Sequence, residues 1–120
     1  MPTIVHFEIP FDNAERSIKF YTELFGWEIK EYPEMEYYGV MTAEEGKGLN
    51  GGMMKRQAPE QQICNYIDVD SVDEYAVKVE KLGGKVIMPK TAVPAMGWFA
   101  ICLDTENNAF GIWQADKEAH

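Results

Sequence analysis

Near the start of the chain Val5, Phe7 and Ile9 alternate with Ile4, His6 and Glu8, the period-2 pattern of a strand with one buried face. The period then changes. Asp12, with Glu15 three positions later, reads as the capping box that opens a helix. Along that helix Ala14, Ile18, Tyr21 and Leu24, with Phe25, form one apolar stripe at helical spacing. Gly26 is expected to stop it, because glycine takes positive φ without strain. Trp27, Glu28 and Ile29 begin the next strand.

The same order returns 58 positions later. Ile9 falls on Ile67, Asp12 on Asp70, Ala14 on Val72 and Ile18 on Ala76. Tyr21 falls on Val79, Leu24 on Leu82, Gly26 on Gly84 and Ile29 on Ile87. Further on, Asn50 falls on Asn108 and Met54 on Ile112. Cap, stripe, stop and strand repeat in one register, which indicates an internal duplication. Two copies are too few for a solenoid and suit a pseudo-symmetric pair. Each copy reads strand, helix, then three strands, expected at about 26–33, 37–43 and 49–55, and at about 85–89, 97–103 and 108–114. Residues 55–60, with Pro59, form the expected linker. The span 89–97, with two prolines, reads as a loop. One domain, 1–120, thus holds two βαβββ modules at about 3–56 and 61–115.

Composition changes this picture little. The chain has 120 residues, 46% of them hydrophobic, enough for one compact unit. No apolar run approaches the roughly 20 residues that span a bilayer, and the first residues lack the charge and apolar core of a secretory signal. The net charge of −9 disfavours nucleic acid and anionic membranes as partners. Two cysteines, Cys64 and Cys102, make no disulfide framework, and a cytoplasmic location is expected. Cys102 reads as a small buried apolar residue.

The runs His6-Phe7-Glu8-Ile9-Pro10, Glu15-Arg16-Ser17-Ile18-Lys19-Phe20-Tyr21 and Phe25-Gly26-Trp27 resemble the opening of the glyoxalase / bleomycin resistance / extradiol dioxygenase (vicinal oxygen chelate) superfamily. The end is similar too, through Pro89-Lys90-Thr91, Gly97-Trp98-Phe99-Ala100, Asp104-Thr105-Glu106-Asn107-Asn108 and Phe110-Gly111-Ile112-Trp113-Gln114. The likeness is nearest to the branch of predicted enzymes related to lactoylglutathione lyase. It implies an α+β fold in which tandem βαβββ modules form a curved eight-stranded mixed sheet around a pocket, helices outside. It also implies a homodimer.

Metal-using members hold a divalent ion with one residue from the first and one from the last strand of each half. Mapped here, those positions are His6, Met53, Cys64 and Gly111. Gly111 offers no side chain and Met53 only a soft thioether. Two ligands do not make a typical Zn²⁺ or Fe²⁺ site, so no metal and no other cofactor is expected. Strand parity leaves one alternative open, a centre built from His6, Glu8 and Cys64. The other histidine, His120, is expected to be mobile at the C-terminus, and two histidines so placed leave no Ser-His-Asp set. Gly51-Gly52 lacks the lysine of a phosphate loop and reads as a strand start or bulge open to close approach.

Parity assigns Ile4, His6 and Glu8 to the pocket face, with Cys64, Tyr66 and Asp68, Met53 and Lys55, and Gly111 and Trp113. Val5, Phe7, Ile9, Ile67, Val69, Met54 and Ile112 are assigned to the helix side. The expected ligand pocket is therefore His6, Glu8, Met53, Cys64, Tyr66, Gly111 and Trp113, with Trp98 as a further candidate. Such a lining suits a small hydrophobic or aromatic molecule. Two functions follow. One is metal-free small-molecule binding. The other is a lyase, isomerase or dioxygenase in which His6 and Glu8 are the catalytic groups, with or without a divalent ion.

Overall fold

A computed structural model describes residues 1–44 and 46–120. The elements are β1 (Thr3–Phe11), α1 (Ala14–Phe25), β2 (Glu28–Tyr32), a single 3-10 turn (Pro33–Met35), β3 (Tyr37–Met41) and β4 (Gly51–Lys55). Then come β5 (Cys64–Asp68), α2 (Val72–Lys81), β6 (Lys85–Val93), β7 (Gly97–Leu103) and β8 (Ala109–Ala115). This is the α+β fold expected, an eight-stranded mixed sheet with two helices, built as βαβββ twice. Two compact units are present, His6–Ile63 and Cys64–His120 together with Met1–Val5.

In the first half the strand order is β2-β3-β4-β1. β1 and β4 run parallel, and the other pairs are antiparallel. Helix α1 is capped by Asn13, whose side chain accepts from the Arg16 amide. The expected cap was Asp12, one residue earlier; its carboxylate instead pairs with Arg56 at 3.0 Å. Gly26 closes the helix at φ 73°, its amide bonded to the Thr22 carbonyl, as the stripe predicted. Ile9, Val40 and Met53 form the buried core of this half, packed by Phe7, Ile18, Tyr21, Trp27, Ile29 and Tyr38. Tyr21 stacks on Trp27 with ring centroids 5.1 Å apart. Each such buried side chain contributes roughly 1.5–3 kcal/mol.

In the second half the order is β5-β8-β7-β6. Ser71 caps α2, acidic Asp73 and Glu74 occupy its first turn and Lys78 and Lys81 its last, charges that suit the helix dipole. The helix ends at Lys81, two residues before the repeat predicts, and Gly83 rather than Gly84 takes positive φ. Val69, Val72, Ala100, Cys102 and Ile112 form the core.

The span 89–97 is not a loop. β6 continues through Pro89 to Val93 before the turn at Pro94–Met96. A proline is tolerated there because β6 is the last strand of its half's order and its pairing with β7 is irregular between Met88 and Thr91. The final residues are also tied down. The Ala95 amide bonds the Ala119 carbonyl and the Asp116 amide that of Met96. The His120 ring lies 6.0 Å from that of Trp98. The His120 ring is thus set edge-on against Trp98.

The repeat is interrupted where it matters most. Ile9 pairs with Met53 and Ile67 with Ile112. The offset is 58 on the first strand of each half and 59 on the last. A one-residue slip sends every side chain of a strand to the other face. Met53 is therefore the counterpart of the core residue Ile112, not of Gly111. The position matching Gly111 is Gly52, and that matching Trp113 is Met54.

Candidate functional site

On β1 of the first half, Phe7 and Ile9 turn toward α1, which leaves His6 and Glu8 on the opposite face. Tyr37 opens β3 after the turn at Pro33–Met35, where Glu36 adopts a left-handed conformation. The neighbouring Tyr38 and Val40 pack in the core, so Tyr37 falls on the face of His6 and Glu8. Its hydroxyl lies 2.8 Å from His6 Nε2 and donates to Glu8 Oε2 at 2.8 Å. The two flanking groups are 3.7 Å apart.

A hydrogen-bond polarity follows. An ionised carboxylate only accepts, so the phenol proton points at Glu8, and the phenol oxygen is left to accept from His6 Nε2–H. Burial first, then the Glu8 charge and the bond to Glu8, raise the Tyr37 pKa well above the ordinary phenol range. The group stays a neutral donor.

Gly52 makes this arrangement possible. Glu8 and Gly39 are its register partners on either side. A Cβ at Gly52 would lie 1.7 Å from the Tyr37 hydroxyl oxygen and 2.0 Å from its ring carbon Cζ. The close approach anticipated at Gly51-Gly52 is thus made at both positions, at Gly51 by the backbone carbonyl of Phe7 and at Gly52 by a side chain.

In the second half Tyr66, Gly111 and Trp113 share one face, as expected, because Ile67 and Ile112 between them pack toward α2. The Tyr66 ring lies over Gly111, where a Cβ would come within 2.3 Å. Phe99 meets Tyr66 edge-on at 6.3 Å. By register Phe99 is the counterpart of Tyr37 and Tyr66 that of Glu8. The same scaffold carries a polar triad in one half and an aromatic pair in the other. Cys64 is buried on the strand that carries Tyr66.

Two expected pocket residues lie elsewhere. Met53 is wholly buried in the core under α1 with Ile9 and Val40, for the register reason given above. Trp98 packs against the α2 core and donates its indole N–H to Asp116 at 2.9 Å. Phe99, one residue on, holds the position expected of it. Met54 also departs from the helix-side assignment, because Met53 takes its place in the core; Val5 keeps the parity of Phe7 and Ile9 but is exposed.

The family's divalent centre does not fit these residues. Met53 is committed to the core, Gly111 has no donor and lies under a ring, and the β4 residue beside Glu8 is a glycine. Among the described residues no three of His, Cys, Asp and Glu gather to hold an ion. Two open depressions of about 570 and 360 Å³ lie on the first half, the larger lined by Asp12, Arg56, Gln57, Ala58 and Pro59. Neither is lined by His6, Glu8 or Tyr37. No helix of the described residues is long and apolar enough to cross a membrane.

Sequence reasoning missed Tyr37. Its one signal was parity with Gly39 in an expected strand; its partners are set by a register that only the fold supplies.

Comparison with known proteins agrees with this architecture. Residues 3–43 match the bleomycin resistance protein-like N-terminal family. The chain is 37% identical over 105 residues to Putative glyoxylase CFP32 of Mycobacterium bovis, and equally to that of Mycobacterium tuberculosis. The match covers 82% of this chain and 40% of the relative, so the chain spans about two fifths of the length of these curated relatives. A glyoxalase/bleomycin resistance protein/dioxygenase superfamily member from Vibrio splendidus superposes with TM-score 0.68 at 12% identity, covering 97% of this chain and all of that one. Methylmalonyl-CoA epimerase from Mycobacterium tuberculosis superposes with TM-score 0.63 at 10% identity over 94% and 87% of the two chains. These two likenesses concern the fold. In sequence the chain is similar to the bleomycin resistance protein-like N-terminal family over residues 3–43 and to these putative glyoxylases over part of their length, and its fold is that of the glyoxalase/bleomycin resistance protein/dioxygenase structures.

Proposed function

We propose that this chain is a glyoxalase-like module that binds a small aromatic or apolar molecule without a metal ion, with His6, Glu8 and Tyr37 as its polar anchor. The observation that carries this reading is the His6–Tyr37–Glu8 chain of hydrogen bonds on the sheet face away from α1. A few convergent polar groups beside aromatic rings are what such ligands require. The setting we propose is a cytoplasmic homodimer, consistent with two cysteines and no disulfide framework.

The test is ligand-observed NMR on EDTA-treated protein against a panel of small phenols, indoles and aromatic amines. His6→Ala is expected to weaken the bound members roughly 3- to 10-fold, the value of one hydrogen bond, with the protein still folded and its melting temperature lowered only by the loss of the bond to Tyr37. Binding that appears only after a divalent ion is added, or that ignores His6→Ala, would refute the reading.

One observation favours a second reading, an enzyme of proton transfer. An imidazole and a carboxylate share a single phenol, so a proton taken up by His6 has a path through the Tyr37 hydroxyl to Glu8. Under this reading a bound panel member would be chemically altered, and Glu8→Gln would stop turnover while leaving binding in place.

A further inference from the structure

We propose that the Tyr37 hydroxyl occupies the point at which a side chain from position 52 and a divalent ion would otherwise meet His6 and Glu8, so that a phenol closes the polar centre of the first half to metal. The proposal deepens the metal-free reading and rests on it.

Three observations converge on that point. The hydroxyl oxygen is 2.8 Å from both His6 Nε2 and Glu8 Oε2, the two polar side chains that strand parity sets beside it on β1. A side chain grown from Gly52 would begin 1.7 Å from the same oxygen. Glu8 and Gly52 are direct register partners on parallel strands, so a carboxylate at position 52 would project beside that of Glu8. An imidazole and two carboxylates around one vertex are a donor set that first-row divalent ions accept. Here the third donor is missing and its space is filled. The filling group also presents its proton to Glu8, which turns a carboxylate suited to a cation into a satisfied hydrogen-bond acceptor. The second half follows the same plan without polar groups: Gly111, the counterpart of Gly52, is covered by the Tyr66 ring.

The test is calorimetric and visible-absorption titration of EDTA-treated protein with Co²⁺, with no organic ligand present. Wild type and His6→Ala are expected to behave alike, with no uptake that depends on His6. The pair Tyr37→Ala with Gly52→Glu is expected to gain one site per chain, at least ~10-fold tighter than wild type, and to lose it when His6→Ala is added. Circular dichroism melts verify that each variant is folded. If the pair does not fold, Tyr37→Ala alone serves, with a smaller gain that again depends on His6. One equivalent of cobalt in wild type that His6→Ala abolishes would overturn the proposal. So would a folded variant lacking the phenol that takes up cobalt no better than wild type. The small-molecule reading is judged separately, by the ligand screen in EDTA, so the failure of one is distinguishable from the failure of the other.

Discussion

Gly52→Ala is the smallest change that tests the site's architecture. The added methyl would sit 1.7 Å from the Tyr37 hydroxyl oxygen and 2.5 Å from its ring carbon Cε2, so the ring has to leave. Both hydrogen bonds go with it. A neutral hydrogen bond contributes about 0.5–1.5 kcal/mol and one to a charged group about 1.5–3, which puts the gross loss at roughly 2–4.5 kcal/mol. Replacing glycine inside a strand returns about 0.5–1 kcal/mol of backbone entropy. The net expectation is a destabilisation of roughly 1–4 kcal/mol, about 4–16 °C in melting temperature for a chain of this size. Urea and thermal denaturation followed by circular dichroism measure it. The control is a double-mutant cycle with Tyr37→Ala, which removes the colliding ring. In that background Gly52→Ala should cost less than about 0.5 kcal/mol, the margin within which uncoupled changes add. If Gly52→Ala is as stable as wild type, or costs the same with and without Tyr37, the ring does not lie over Gly52 and the proposed anchor is wrong.

Met53→Ala should cost about 2–5 kcal/mol, as expected for a fully buried methionine, and leave ligand affinity unchanged in the folded fraction; a selective loss of affinity would return Met53 to the pocket. Burial first, then the Glu80 charge, raises the Cys102 thiol from 9.0 to about 11. Its contribution to stability is therefore whole below pH 9 and lost as pH climbs toward 11, by up to about 1.4 kcal/mol per pH unit, and Cys102→Ala should flatten that part of a denaturation series against pH. The Trp98 indole bond, followed by the Glu118 amide bond, holds the Asp116 carboxyl below its ordinary range. The pair should persist as pH falls through the usual carboxylate range and break only below it; Trp98 emission, compared with that of Asp116→Asn, reads the transition.

Which features were legible in the sequence follows from how far each interaction reaches along the chain. A helix stop such as Gly26 depends on bonds four residues back, to Thr22, and a short window contains all of it. The duplication was visible because strand, helix and strand keep one offset through the first part of each half. That offset could not be carried to the last strands. The turn before β3 and the β3–β4 connection in one half differ in length from their counterparts in the other, and the differences do not cancel. The accumulated slip is one residue, and one residue is enough to move Met53 from ligand face to core. The family's metal positions depend on the face of that strand, so this local error became a functional one. With the register corrected, a good third donor is still missing beside His6 and Glu8, but for a different reason. The β4 position beside Glu8 is a glycine, not a thioether, and its emptiness has a use that Met53 would not have explained. Tyr37 needs that space to reach two polar groups at once. The absence of a side chain at position 52 and the presence of a phenol at position 37 are one feature, and a change in either should be felt through the other.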